Sequence, residues 1–254
     1  MITAILNVYR RYHQTFEKQV KALSNQTIPP KHIWTWQNKA PEKANIQRPK
    51  KTVLVNSSYN FFYHGRFALA LLAQPYTEYV AILDDDIIPG KQWFENCLNC
   101  MKEKPGLYVA VGRRLSPGTV EDKKTQWVGW RGPNEEITEL DYGGHCWFLK
   151  TDWLRYFWME PQISFENAED IQLSFALQKN AGIPTYAPPH PKDNQELWSN
   201  TIGWFYGRQK VASHKSPPTK LTKKDWFKQR RDIEQECINR GWKPLYMREG
   251  ENQD

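Results

Sequence analysis

The stretch Tyr79-Val80-Ala81-Ile82-Leu83-Asp84-Asp85-Asp86-Ile87-Ile88-Pro89-Gly90 sets three consecutive carboxylates between two apolar runs. Tyr79 to Leu83 is apolar without alternation, the pattern of a central parallel strand covered by helices on both faces. Acidic residues at the carboxyl end of such a strand face the crevice where open α/β sheets bind ligands. A merely solvated turn is not flanked by apolar residues in this way. Along an extended chain Asp84 and Asp86 fall on one side and Asp85 on the other. Their mutual repulsion raises at least one pKa unless a cation neutralises the group. Mg²⁺ and Mn²⁺ are such cations, held by one or two carboxylates, with water and substrate phosphates completing the shell. The cluster predicts a metal-bound phosphorylated ligand. The competing structural role is a turn cap, or pairing with nearby bases.

Working outward, Ile2 to Val8 reads as a buried strand, followed by a helix over Gln14 to Leu23 with Phe16, Val20 and Leu23 on one face. His32 to Trp36 and Thr52 to Val55 read as further strands, and a helix from about Tyr63 to Ala73 leads into Tyr79. Lys91 to Lys104 looks helical, Tyr108 to Gly112 and Cys146 to Leu149 extended, and Glu169 to Asn180 helical up to Gly182 and Pro184. Gly203 to Pro218 is loop-like. Thr222-x-x-Asp225 is a capping box opening an amphipathic helix that carries Trp226, Phe227, Ile233 and Cys237 and stops at Gly241. Strands alternating with helices argue for an α/β sheet, mixed but mainly parallel and flanked by helices. Residues 1–218 read as one domain, with 219–254 a helical extension packed on it.

At 254 residues and 39% apolar, the chain can bury a sizeable core, and its 14 Gly and 17 Pro exclude collagen-like and disordered classes. No apolar stretch approaches the roughly 18 residues of a spanning helix. The opening strand runs into Arg10 and Arg11 instead of following a basic leader, so a cytoplasmic protein is expected. Four scattered cysteines make no disulfide framework, and Cys97-x-x-Cys100 lacks a second ligand pair, which favours plain packing. The net charge of +7 is concentrated between Gly207 and Arg231, where nine basic residues face Asp225 alone. That stripe is either a solvated helix face or a contact with an anionic partner such as a membrane surface.

Several segments in order resemble nucleotide-sugar-dependent glycosyltransferases of the GT-A fold, a Rossmann-like α/β architecture, especially the family-2-like group and its exostosin-like relatives. Ile2 to Asn7, with the turn Leu23-Ser24-Asn25-Gln26-Thr27-Ile28-Pro29-Pro30, is similar to that group's first strand, helix and turn. Asn60, Gly65-Arg66-Phe67 and the run into Asp84-Asp85-Asp86 resemble the approach to its DxD motif. Asp141-Tyr142-Gly143-Gly144-His145-Cys146 resembles the glycine-containing strand near the donor sugar, and Glu166-Asn167-Ala168-Glu169-Asp170 the acidic pair that opens a helix.

The resemblance implies a nucleotide diphosphate sugar, most often UDP-linked, bridged through Mn²⁺ or Mg²⁺ by Asp86, with Asp84 completing the metal shell. It also implies nucleotide or donor contacts from Tyr9, Arg10, Arg66, Asp84, Asp85, Gly144 and His145. Asp170, with Glu169 next, is the candidate base for the hydroxyl of a glycan acceptor if the reaction inverts configuration, and a retaining course needs none. A late histidine, His214 before His190, is the implied further metal ligand. Glu169 and Asp170 also suit a helix N-terminus for electrostatic reasons alone, and Arg66 could be a surface helix residue. Among the 12 tryptophans, Trp127, Trp130, Trp147, Trp198 and Trp204 lie in segments that could line an acceptor groove, although core packing is the better expectation for any one. The alternatives are a nucleotidyltransferase, for which a Gly-rich phosphate loop is missing, and a non-catalytic module binding carbohydrate or nucleic acid. No specific nucleic-acid partner is expected.

Overall fold

The computed structural model describes residues 1–9, 12–39, 52–116, 126–203, 205–206, 210 and 221–251. In chain order the elements are Ile2–Val8 (β1), Tyr12–Ser24 (α1), His32–Asn38 (β2), Thr52–Ser57 (β3), Gly65–Leu71 (α2), Tyr79–Leu83 (β4), Trp93–Glu103 (α3), Leu107–Arg114 (β5), Gln126–Gly129 (β6), Thr138–Leu140 (β7), Tyr142–Lys150 (β8), Leu154–Met159 (α4), Glu169–Ala181 (α5), Thr185–Ala187 (β9), Lys223–Asn239 (α6) and Leu245–Glu251 (α7). The strands form one sheet in the order β3-β2-β1-β4-β8-β5-β9-β7, with β6 paired to β5. Six of the nine described strands run the same way, and β6, β7 and β8 oppose them.

Alternation sorts the strand residues into two cores. Ile2, Ala4, Leu6 and Val8 of β1, Ala81 and Leu83 of β4, and Cys146 and Phe148 of β8 meet α1 and α3 through Phe16, Leu23, Trp93, Phe94 and Met101. Ile5, Val80, Ile82, Trp147 and Leu149 face the other way, onto Phe67 and Ala70 of α2, Phe157 of α4 and Leu173 and Leu177 of α5. The pairings Ile5↔Ile82 and Ile82↔Trp147, with Leu6↔Leu83 and Leu83↔Cys146, keep each layer in register across three strands. A slip of one residue would exchange the two layers. β4 is thus covered on both faces, as its unbroken apolar run requires.

On its outer side α5 carries Ile171 and Phe175 against Ile233 and Cys237 of α6 and Trp242. Thr222 caps α6, its Oγ1 accepting from the Asp225 amide at 3.2 Å. The cysteines are free and buried, Cys97 and Cys100 among them, and burial pushes their thiol pKa values up. Short β6, β7, β9 and α4 escape the periodicity reading because three to six residues carry too little pattern. No helix among the described residues is long and apolar enough to cross a membrane.

His190 is fully buried, with Nδ1 2.8 Å from the Pro188 carbonyl and Nε2 2.9 Å from Ser199 Oγ. Both ring nitrogens are engaged within the fold, which leaves neither for a metal. Burial pushes its pKa down from 6.5 to about 4. A histidine with a depressed folded pKa contributes stability that is whole above its unfolded value and lost as the pH falls, because the unfolded chain takes up a proton the folded chain refuses. His190→Gln removes that titration. In urea denaturation the stability gap between wild type and variant therefore narrows by roughly 3 kcal/mol between about pH 7 and pH 4. A gap independent of pH would contradict a neutral, buried imidazole.

Candidate metal and acid–base site

From β1 the chain passes to β2 and β3 on one side, then crosses through α2 to β4 on the other. The carboxyl ends of β1 and β4 part at this switch of direction, the position where open α/β sheets take ligands. Half-buried Tyr9 follows β1, and Asp84, Asp85 and Asp86 follow β4. Asp84, Asp86 and His145 each offer one ligand atom within 4.8 Å of the others. Asp85, also buried, lies outside this group.

His145 owes its position to a bulge. Trp147 pairs with Val109 and Gly144 with Val111, so His145 and Cys146 together oppose Ala110. The extra residue puts His145 at φ 69° and re-aims its side chain toward the acids. Nδ1 lies 3.5 Å from Asp84 Oδ2 and 3.8 Å from Asp86 Oδ1, while the His145 carbonyl accepts from the Asp84 amide at 2.8 Å. Those side-chain separations are long for hydrogen bonds but suit three ligand atoms around one divalent cation. Burial works against a charged imidazole, yet Asp86 and Asp84 outweigh it and hold the His145 pKa above its ordinary value.

Arg66 is no surface residue, being only 2% exposed at the start of α2. Its Nη1 donates to Asp84 Oδ1 and its Nη2 to Glu169 Oε1 at 2.9 Å, and its guanidinium lies 4.8 Å from the centroid of Trp147. Asp84 therefore gives one oxygen to Arg66 and turns the other toward His145. Next along α5, Asp170 accepts from Arg230 of α6 through both oxygens, at 3.0 and 2.9 Å. Burial disfavours charge on both acids, but the outcomes diverge. Burial and neighbouring Asp170 push Glu169 up to about 7, whereas Arg230 overrides burial and holds Asp170 below the usual carboxylate range. Asp170 Oδ2 would lie 3.6 Å from a Cβ on Gly144, which places it beside the strand that carries His145.

Two glutamines fix the acidic turn. Gln19 of α1 donates through Nε2 to the Asp84 carbonyl at 2.7 Å and the Ile87 carbonyl at 3.0 Å. Gln26 donates to the Gly90 carbonyl at 2.6 Å and accepts from the Phe94 amide at 3.0 Å, satisfying an orphan donor at the start of α3. The signal for Gln26 lay in the turn Ser24 to Pro30; Gln19 had none, since a lone polar residue in a helix reads as solvent-facing. Arg230 was hidden within the basic stripe. It is 7% exposed, which the even run of charge around it conceals.

Of the other residues singled out in the sequence, Gly143 answers to packing: a Cβ there would stand 2.4 Å from Val109 Cγ2. Gly144 has only ordinary contacts. Trp147 is core, and Trp198 packs on the core with Nε1 donating to the Pro191 carbonyl at 2.7 Å. Trp130 stands edge-on to His145, with ring centroids 6.0 Å apart. Arg10, Trp204, His214 and most of the segment 207–220 lie outside the described residues. Within the described residues, the histidine that meets the acidic pair is His145.

No protein-family model matches the chain, and no curated protein matches it. Among solved structures, that of S. aureus TarS aligns at 12% sequence identity with a TM-score of 0.49, over 74% of this chain and 36% of that chain. The chain thus spans little more than a third of that protein's length. A likeness at this level decides nothing about function.

Replacing Arg66 by Met leaves half-buried Asp84 and buried Glu169 without their cation. The metal-free protein then loses about 3–5 kcal/mol in urea denaturation. The loss shrinks as the pH is lowered and the stranded carboxylates take up protons. A variant as stable as wild type at neutral pH would mean the two ion pairs are not formed.

Proposed function

We propose that this chain is a metal-dependent glycosyltransferase that moves a sugar from a nucleotide diphosphate sugar, a UDP-sugar foremost, to a hydroxyl of a glycan acceptor. The observation that carries the reading is the Asp84–Asp86–His145 group at the switch point of the sheet, with a second acidic pair on α5 held beside it by two buried arginines. Two carboxylates and an imidazole suit Mn²⁺ better than Mg²⁺, which prefers oxygen ligands throughout. Once bound there, the cation supplies charge neutralisation at the departing diphosphate.

The remaining chemistry falls to the chain. In the transfer, the bond from the anomeric carbon to the diphosphate oxygen breaks, and the electron pair leaves with the nucleotide. A bond to the acceptor oxygen forms, and the hydroxyl proton passes to a carboxylate. Asp170 is suited to that task in an inverting reaction: Arg230 keeps it ionised at neutral pH and fixes its orientation. Glu169, shifted the other way and tied to Arg66, acts as a positioning group. Tyr9, at the end of β1, borders the side on which the nucleotide would lie.

A thermal-shift panel with UDP-, GDP- and dTDP-sugars tests the reading. UDP-sugars raise the midpoint only with Mn²⁺ present, and Asp86→Ala abolishes the shift while the fold is retained. If no nucleotide shifts the midpoint in the presence of metal, the donor assignment is wrong. Asp170→Asn keeps the UDP shift but lowers transfer by about 10²-fold or more; undiminished transfer would favour a retaining course without this base. Arg230→Ala removes the influence that holds the Asp170 pKa down, so the acid limb of the pH–rate profile moves to higher pH, and Arg230→Lys restores part of the original profile.

A further inference from the structure

Three aromatic rings stand in solvent where the chain enters α2 and α5, at the carboxyl edge of the sheet. Tyr59 is 65% exposed, Phe61 46% and Phe165 52%. Tyr59 and Phe61 follow β3 and meet edge-on, with centroids 5.1 Å apart, and Phe61 leans on half-buried Trp36 at 5.8 Å. Phe165, in the segment that leads into α5, lies 4.8 Å from the ring of His64. The His64 amide donates to the Phe61 carbonyl at 3.1 Å, so the two segments that carry the rings are joined at one histidine. Single exposed apolar side chains are ordinary, but rings gathered in this way make a patch.

The fold holds these rings outward against their own preference. Phe62 adopts φ 50°, a left-handed conformation that a bulky residue keeps only where its surroundings impose it. Buried Asn38 does so: its Oδ1 accepts from the Phe61 amide at 2.9 Å, and its Nδ2 donates to the Phe62 carbonyl at 3.0 Å and to Asn60 Oδ1 at 2.8 Å. The same Asn60 oxygen accepts from the Phe62 amide at 2.9 Å. Beside Phe165, Gln172 of α5 accepts from the Ile163 amide at 2.7 Å and donates to the Ser164 carbonyl at 2.9 Å. Rings fixed before a ligand arrives lose little freedom in binding it. The Tyr59 hydroxyl and Asn60 Nδ2 have no hydrogen-bond partner among the described residues, so polar groups border the apolar faces.

A saccharide ring has the matching character, an apolar C–H face rimmed by hydroxyls. Neither segment, 57–65 or 160–168, contains the Lys or Arg with which an anionic membrane or a nucleic-acid backbone is met. Ring planes 73° apart at Tyr59 and Phe61 also do not suit a parallel stack of bases. β3 lies three places from β4 in the sheet, about 14 Å at ordinary strand spacing, so a single sugar cannot reach from the acids to Tyr59. We propose that Phe165, Phe61 and Tyr59 form a stacking track for successive rings of an uncharged saccharide chain, whose terminal hydroxyl it leads to the acid pair on α5. The inference rests on the transferase reading above and deepens it, naming the acceptor as a chain of several sugars.

Calorimetric titration of the full chain compares cellotetraose, maltotetraose and chitotetraose with glucose and N-acetylglucosamine. At least one tetrasaccharide binds about tenfold or more tightly than the sugar from which it is built. Tyr59→Ala combined with Phe165→Ala retains the wild-type thermal midpoint and lowers that affinity about tenfold, whereas Tyr59→Trp with Phe165→Trp keeps most of it, since the ring faces remain. The proposal fails if no tetrasaccharide exceeds its monosaccharide in affinity, a comparison that needs no variant. It also fails if the folded Ala double variant binds the tetrasaccharide like wild type, or if its loss falls instead on phosphatidylglycerol vesicles or oligothymidylate, which would make the rings a membrane or nucleic-acid surface. Should a tetrasaccharide bind while no UDP-sugar does so with Mn²⁺, the donor reading falls and the track stands; the converse result removes the track and leaves the donor reading.

Discussion

A guanidinium in an apolar interior is tolerated only where carboxylates meet it, and Arg66 is met by two from distant parts of the chain. α2 brings the cation, the end of β4 brings Asp84 and the start of α5 brings Glu169. Once Arg66 holds one oxygen of Asp84, the other is committed to the direction of His145 and Asp86. The orientation of a prospective metal ligand is thus decided by a residue that would not itself touch the metal, as outer-shell partners do in general.

The same logic repeats one residue further along α5. Glu169 and Asp170 share a helical turn but answer to different arginines, one from α2 and one from α6, and their proton affinities are driven apart. Adjacent acids with separated pKa values are how a site assigns different tasks to chemically similar groups. α6 is therefore more than a cover for α5. Its Arg230 reaches into the site, and Asn167, just before α5, donates back to the Trp226 carbonyl at 2.9 Å to lock the two helices together. Ala168, between Asn167 and Glu169, adopts φ 59°, a left-handed conformation that a non-glycine residue holds only where its surroundings impose it.

The sheet was legible because its central strands are buried on both faces. β1 and β4 read correctly to the residue, β4 from an unbroken apolar run and β1 from one interrupted only by Thr3 and Asn7, and α5 and α6 read to within about two residues from their caps and stops at Gly182 and Thr222. Three-residue strands such as β7 and β9 were not, because they are held by long-range pairing and not by any pattern of their own. Within the site, the acids stood out since three carboxylates between apolar runs need a reason. Gln19 and Arg230 did not, since nothing local distinguishes a buried polar side chain with its partners satisfied from an exposed one.

Periodicity and composition alone established an α/β sheet with acids at the rim of its middle strand, because burial of a strand on both faces is written locally as a continuous apolar run. Which histidine meets those acids, and which arginine meets each carboxylate, emerged only on folding. His145 reaches Asp84 and Asp86 through a bulge in an antiparallel strand, and Arg230 reaches Asp170 across 60 residues of chain. Charges separated that far in sequence find one another through the packing of whole elements, a property of the assembled core that no short segment carries.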